Sequence, residues 1–328
     1  MGARRILLAL VIVLSGAAWA EAADAPLVFE AKVHLGDISG RIDHLAIDVK
    51  RQRLFVAELG NNSIAVVDLA GGKLLRTLTG FSEPQGVGYE PGSDTLYVAN
   101  AGDGSVQMFA GADFAPLGRI ELGEDADNVR IDMARKNVLI GYGKGAIAVI
   151  DPVTRTKGAD FRLSGHPESF QIDGTGTQLF INVPDAREIT IIDLPKAAAR
   201  SVAAGSLNGN FPMAVDSEGK RILTVFRDPP TLMALTSPEG QVIAKVETCG
   251  DADDVFADAK RHRVYLTCGA GMVDVFEPRG DSYPRLARIP TVPGARTGLF
   301  VPELDRLYVA VRAASGEPAA IWVFRPVP

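Results

Sequence analysis

Residues 84–109 read PQGVGYEPGSDTLYVANAGDGSVQMF, and their punctuation decides the fold. An apolar run ends in the turn Pro91-Gly92-Ser93-Asp94, a strand is expected at Thr95–Asn100, and Gly102-Asp103-Gly104 leads to a second strand at Ser105–Ala110. A further strand is expected at 116–122. Alternating strands separated by Gly, Pro, Asp and Ser form an antiparallel meander. Such a unit has two open edges and cannot bury both of its faces alone, so it needs flanking partners.

The chain supplies copies of it. The first apolar residue of the second strand recurs at Leu54, Leu96, Val138, Leu179, Ile222, Val264 and Leu307, at spacings of 42, 42, 41, 43, 42 and 43. Each marker opens a strand: LFVAE, LYVAN, VLIGY, LFINV, ILTVF, VYLTC and LYVAV. A unit of about 40 residues carrying four strands has the period of a propeller blade. The expected fold is all-β, a seven-bladed β-propeller over residues 21–328. The seventh unit lacks its outer strand, and residues 27–36, LVFEAKVHLG, match the outer strand of the second unit. This N-terminal strand is expected to complete blade 7 and close the ring.

Residues 1–20 read as a signal peptide: Arg4 and Arg5 precede the apolar run 6–14, and Ala18-Trp19-Ala20 supplies small residues for cleavage. The mature protein is expected to be exported, periplasmic or secreted, and monomeric, with no membrane span after cleavage. Without Arg4 and Arg5 the net charge of −6 becomes −8, and the basic residues are scattered. Nucleic acid is therefore not an expected partner.

Leu96-Tyr97-Val98-Ala99-Asn100, with Pro84 and Gly86 upstream and Ser105-Val106 downstream, resembles the repeat of the YVTN propellers, including YncE-like exported proteins. The resemblance runs through all seven units and is sharpest in the second. Leu139-Ile140-Gly141-Tyr142 and Leu223-Thr224-Val225-Phe226 keep the apolar pattern without the terminal Asn. No unit ends its third strand in Trp-Asp, so the WD40 signature is absent. The family mixes ligand-binding proteins with lactonases, so the resemblance implies a fold and leaves the function open.

Because blade strands alternate in direction, the loop leading into the first strand and the loop joining the second and third share one face. The leading loops place Asp43 and His44, Gln85, Asp127 and Asn128, His166 and Glu168, Asp253 and Asp254, and Arg296 at one mouth of the central channel. The second-to-third-strand loops add Glu58, Asn100, Arg227 and Arg312. Carboxylates gathered in one concave mouth repel each other unless a cation or an arginine neutralises them. Asp127, Asp253 and Asp254 are the candidate ligands of a divalent cation, calcium first, since oxygen donors dominate. The competing reading is that each Asp caps an inner strand by accepting backbone N–H bonds. The arginines make one sector positive, suited to an anionic or zwitterionic small molecule.

Cys249 ends the outer strand of unit five and Cys268 the second strand of unit six, so both emerge on the same face of adjacent blades. In an exported protein this pair is expected to form a disulfide. No Gly-x-Ser-x-Gly, His-Glu-x-x-His or Cys-x-x-Cys-His motif occurs. The leading expectation is a non-catalytic binding or scaffold protein whose acidic mouth takes a small ligand, a cation or a partner protein. A second is a metal-dependent lactonase or hydrolase with His44, His166 or Glu168 in the proton transfers. A third is an accessory subunit of an exported redox system.

Overall fold

Each copy of the repeat becomes one four-stranded antiparallel sheet, seven in all. The computed structural model describes residues 25–328 except 217, 219 and 315; the expected signal peptide at 1–20 lies outside them. Blade 1 runs from the channel outward as Leu45–Asp48, Arg53–Glu58, Ser63–Asp68 and Lys73–Thr79. Blade 2 follows as Pro84–Glu90, Thr95–Asn100, Ser105–Ala110 and Pro116–Glu121. Blades 3 to 6 repeat this order, with inner strands Ala126–Asp132, Phe170–Ile172, Asn208–Asp216 and Ala252–Asp258.

Blade 7 takes its first three strands from the C-terminal segment, Gly298–Val301, Arg306–Val311 and Ala320–Pro326. Its outer strand is Leu27–His34, antiparallel to the last strand from Leu27 opposite Pro326 to His34 opposite Ala320. The two ends of the described chain thus share one sheet, and the ring closes by backbone hydrogen bonds.

Period-2 alternation explains why the blades stack. In the second strand of blade 1, Leu54, Phe55, Val56 and Ala57 are all fully buried. Leu54 and Val56 point one way, into a cluster with Tyr308 and Ile321 of blade 7. Phe55 and Ala57 point the other way, against Val87, Leu96 and Val98 of blade 2. The pattern recurs around the ring, so the described core divides into seven clusters, one between each pair of neighbouring blades. Each large side chain buried there contributes about 1.5–3 kcal/mol. The outer strands are mostly exposed, as Lys73–Thr79 shows.

Aspartates do cap backbone, but at the first hairpin of the blade. Asp48, Asp132 and Asp258 each accept the N–H of the arginine three residues on, at 3.1, 3.0 and 3.3 Å. The same arginines, Arg51, Arg135 and Arg261, return an ion pair at 2.7, 3.2 and 3.0 Å. These hairpins lie at the opposite ends of the inner strands from the leading loops.

Candidate binding site at the channel mouth

The site is made by bulges. The pairing of inner and second strands slips between Pro84 and Gly86, between Ala126 and Val129, between Asn210 and Met213, and between Ala252 and Asp254. A bulge inserts an unpaired residue and re-aims its side chain. Gln85, Asp127, Phe211 and Asp253 occupy these slips, and all four line the mouth cavity. The chain enters three of the bulges through left-handed residues, Glu83, Asp125 and Asp251. Gly86 is required by close approach: a Cβ there would meet the Asp127 carbonyl oxygen at 2.0 Å.

The cavity measures about 190 Å³, and its wall also includes Asp43, His44, Asn128, His166, Glu168, Arg227 and Arg296. Glu58, Asn100 and Arg312 do not line it. The buried Glu58 carboxylate accepts the Ser63 hydroxyl at 2.5 Å. Asn100 accepts the Ser82 N–H at 3.2 Å and donates to the Ser105 hydroxyl at 3.0 Å. Arg312 lies beside the Gly294 turn, its guanidinium pulled down in pKa by burial and then by Arg296 and Arg41. Asp254 faces the channel below the mouth.

In the mouth and just below it the carboxylates fall into two groups. The first is neutralised. Asp253 is held by Arg227 on one oxygen and by Arg296, at 2.9 Å, on the other. The Arg227 guanidinium is also stacked 3.7 Å from the Phe211 ring centre. Asp43 pairs with Arg41 at 2.6 Å, and Arg41 also reaches Gln85 at 3.2 Å. Asp254 accepts the Gly298 N–H at 2.9 Å.

The second group is Asp127 and Glu168. Neither contacts an arginine or accepts a backbone N–H among the described residues. The nearest charged partner of Asp127 is the His44 ring, at 3.8 Å, and its Oδ1 is buried without a hydrogen bond. Burial, opposed by His44 and reinforced by Glu168 and Asp43, pushes the Asp127 carboxyl up to about 7. Burial, with Asp253 beside it, pushes Glu168 up to about 8.

His44 lies near the channel axis: its ring is 3.8 Å from both Asp43 and Asp127, and 3.9 Å from Asp254 of blade 6. His166 sits at the rim, its Nδ1 2.6 Å from the Gly143 carbonyl and 3.6 Å from Asp125. Asp127, Asp253 and Asp254 do not converge on one point. Among the described residues no three His, Cys, Asp or Glu side chains are grouped as a metal ion requires. Asp254 does cap an inner strand, accepting the N–H of Gly298, the first residue of that strand in blade 7, whereas among the described residues Asp127 and Asp253 accept no backbone N–H.

Arg41 completes the wall and was not among the expected site residues, and Asp125 and Ser169, from the leading loops of units three and four, line it as well. Cys249 and Cys268 are joined in a disulfide buried between blades 5 and 6, with Cα atoms 5.9 Å apart, and the Cys249 N–H donates to Asp274 at 2.8 Å. Among the described residues no helix is long and apolar enough to cross a membrane.

The chain matches no protein-family model. No curated protein matches it either. Among solved structures it is similar to a chain of Hydrazine Synthase from Kuenenia stuttgartiensis, with TM-score 0.72 and 17% identity over 85% of this chain and 97% of that one. It is similar to the WD40 repeats of RRP9, with TM-score 0.76 and 10% identity over 90% and 96% of the two chains. It is also similar to a chain of a Mitotic Checkpoint Complex, with TM-score 0.77 and 13% identity over 97% and 98%. At these identities the likeness is one of fold, and the fold is that of a seven-bladed β-propeller.

Proposed function

We propose that this propeller is an exported binding protein whose channel mouth takes one small organic cation, such as a protonated amine, between Asp127 and Glu168. One observation carries the reading. Asp43, Asp253 and Asp254 each have an arginine or a backbone N–H, and Asp125 stands half exposed at the rim beside His166, whereas these two line the mouth with neither among the described residues. Burying carboxylates without partners is costly unless a ligand supplies the missing donors. An ammonium group brings three N–H donors and a positive charge, which suits two separate acceptors better than a divalent ion that needs several oxygens at one point. Export is supported by the disulfide, which persists in oxidising compartments, and by the basic and apolar pattern of residues 1–20.

Thermal melts test this. A site filled at about 100 times its dissociation constant stabilises by about 2.7 kcal/mol. Ethanolammonium and putrescine are expected to raise the melting temperature of wild type and not of Asp127→Asn/Glu168→Gln. A rise with calcium or magnesium and none with amines would overturn the assignment. Hydrolysis is the second reading, favoured by the same two carboxyls: groups held at about 7 and about 8 can exchange protons at neutral pH. Turnover of a lactone panel, lost in Glu168→Gln, would select it.

A further inference from the structure

Below the mouth the channel changes character. A second cavity of about 360 Å³ begins at His44 and Asp254 and continues between the inner strands. Its lower wall is formed by Ile47, Val87, Ile131, Phe256 and Leu299. At its neck stands Arg130. The guanidinium donates to the Val129 carbonyl at 2.9 Å, to Asn128 Oδ1 at 3.2 Å and to the Ser169 hydroxyl at 3.0 Å. An arginine carries five N–H donors, so two remain. No carboxylate is within ion-pairing distance of Arg130 among the described residues.

Asp254 and Asp127 act on Arg130 only through space, and a guanidinium with free donors and no carboxylate in contact, at the head of an apolar tube, is half of a recognition site. We propose that the lower channel binds a monocarboxylate with an apolar body, its carboxylate on Arg130 and its body between Ile47, Ile131, Phe256 and Leu299. This site is distinct from the cation site of the mouth and has the opposite charge preference. The neighbouring Asp254 does not oppose it: burial, with Asp253 nearby, holds that carboxyl well above the usual carboxylate range. Burial conversely pulls the Arg130 guanidinium down, and an anion at the neck would restore it.

Calorimetric titration of the full chain with octanoate, and with octylammonium as the charge-reversed probe, tests the assignment. Wild type is expected to bind one octanoate, saturably and without competition from ethanolammonium. Arg130→Met, which keeps an unbranched apolar stem and removes the charge, should weaken binding at least tenfold. Ile131→Trp, which fills the tube and leaves the guanidinium in place, should do the same, so misfolding of one variant does not spoil the test. Val153→Ser, in an exposed hairpin turn away from both cavities, should leave octanoate affinity unchanged. No binding to wild type, equal binding to Arg130→Met and Ile131→Trp, or a preference for octylammonium would each overturn the proposal.

Discussion

Glu168 makes stability depend on pH in a way that one substitution removes. Its carboxyl is raised from 4.5 to about 8, by burial first and by Asp253 second. The unfolded chain therefore releases this proton near 4.5, while the folded chain keeps it until about 8. Between these values the folded state binds more protons, so stability falls as pH rises and levels off above about 8. In a dry site the full shift would amount to about 5 kcal/mol at 1.36 kcal/mol per unit. Glu168 faces a mouth open to water, which screens its charge and brings the expected effect down to roughly 1–2 kcal/mol. Glu168→Gln keeps the shape and removes the titration. Urea unfolding of both proteins from pH 5 to pH 9 should show the variant gaining on wild type by that amount as pH rises, with the two closest at pH 5. A difference that stays constant across the range would refute the assignment of an unpartnered carboxyl at this position.

Other expectations follow from the same packing. Serine at both Cys249 and Cys268 opens a loop of sequence separation 19, and urea unfolding should show a loss of about 3 kcal/mol. Arg296→Met strips one of the two arginines from the buried Asp253; a loss of about 1.5–3 kcal/mol is expected at pH 7, and combining it with Asp253→Asn should recover much of it. Gly86→Ala forces a Cβ against the Asp127 carbonyl, so a loss of about 1–3 kcal/mol should appear together with weaker binding of amines at the mouth.

The architecture was legible because it rests on two periodicities that the sequence displays directly. The recurrence from Leu54 to Leu307 counts the blades, and strict alternation within LFVAE or LYVAN tells each residue which neighbour it packs against. The closing strand was readable for the same reason, since residues 27–36 resemble an outer strand and nothing else in the chain completes blade 7. The site was legible only in outline. Gln85, Asp127 and Asp253 were placed at the mouth by the alternation of strand direction, whereas the bulges that aim them there were not legible, because a slip of one residue leaves no trace in a polar loop. Glu58 and Asn100 were expected there, but each is bound across its own hairpin by a serine five residues on, Ser63 and Ser105; that shared spacing was a usable sign. Arg41 and Arg130 drew no attention because their partners, Asp43, Asn128 and Ser169, become neighbours only through channel geometry. The contact of His44 with Asp254 likewise joins blades 1 and 6, a pairing that no local pattern encodes.

The most direct test of the central claim is the proton count of ligand binding. Titration of ethanolammonium at pH 7 in two buffers of different ionisation enthalpy measures how many protons leave when it binds. If Asp127 and Glu168 hold the cation, both must be ionised in the complex, so wild type should release between one and two protons. The Asp127→Asn/Glu168→Gln protein should neither bind nor release them. Binding with no proton release, or unchanged binding by the double variant, would contradict the account.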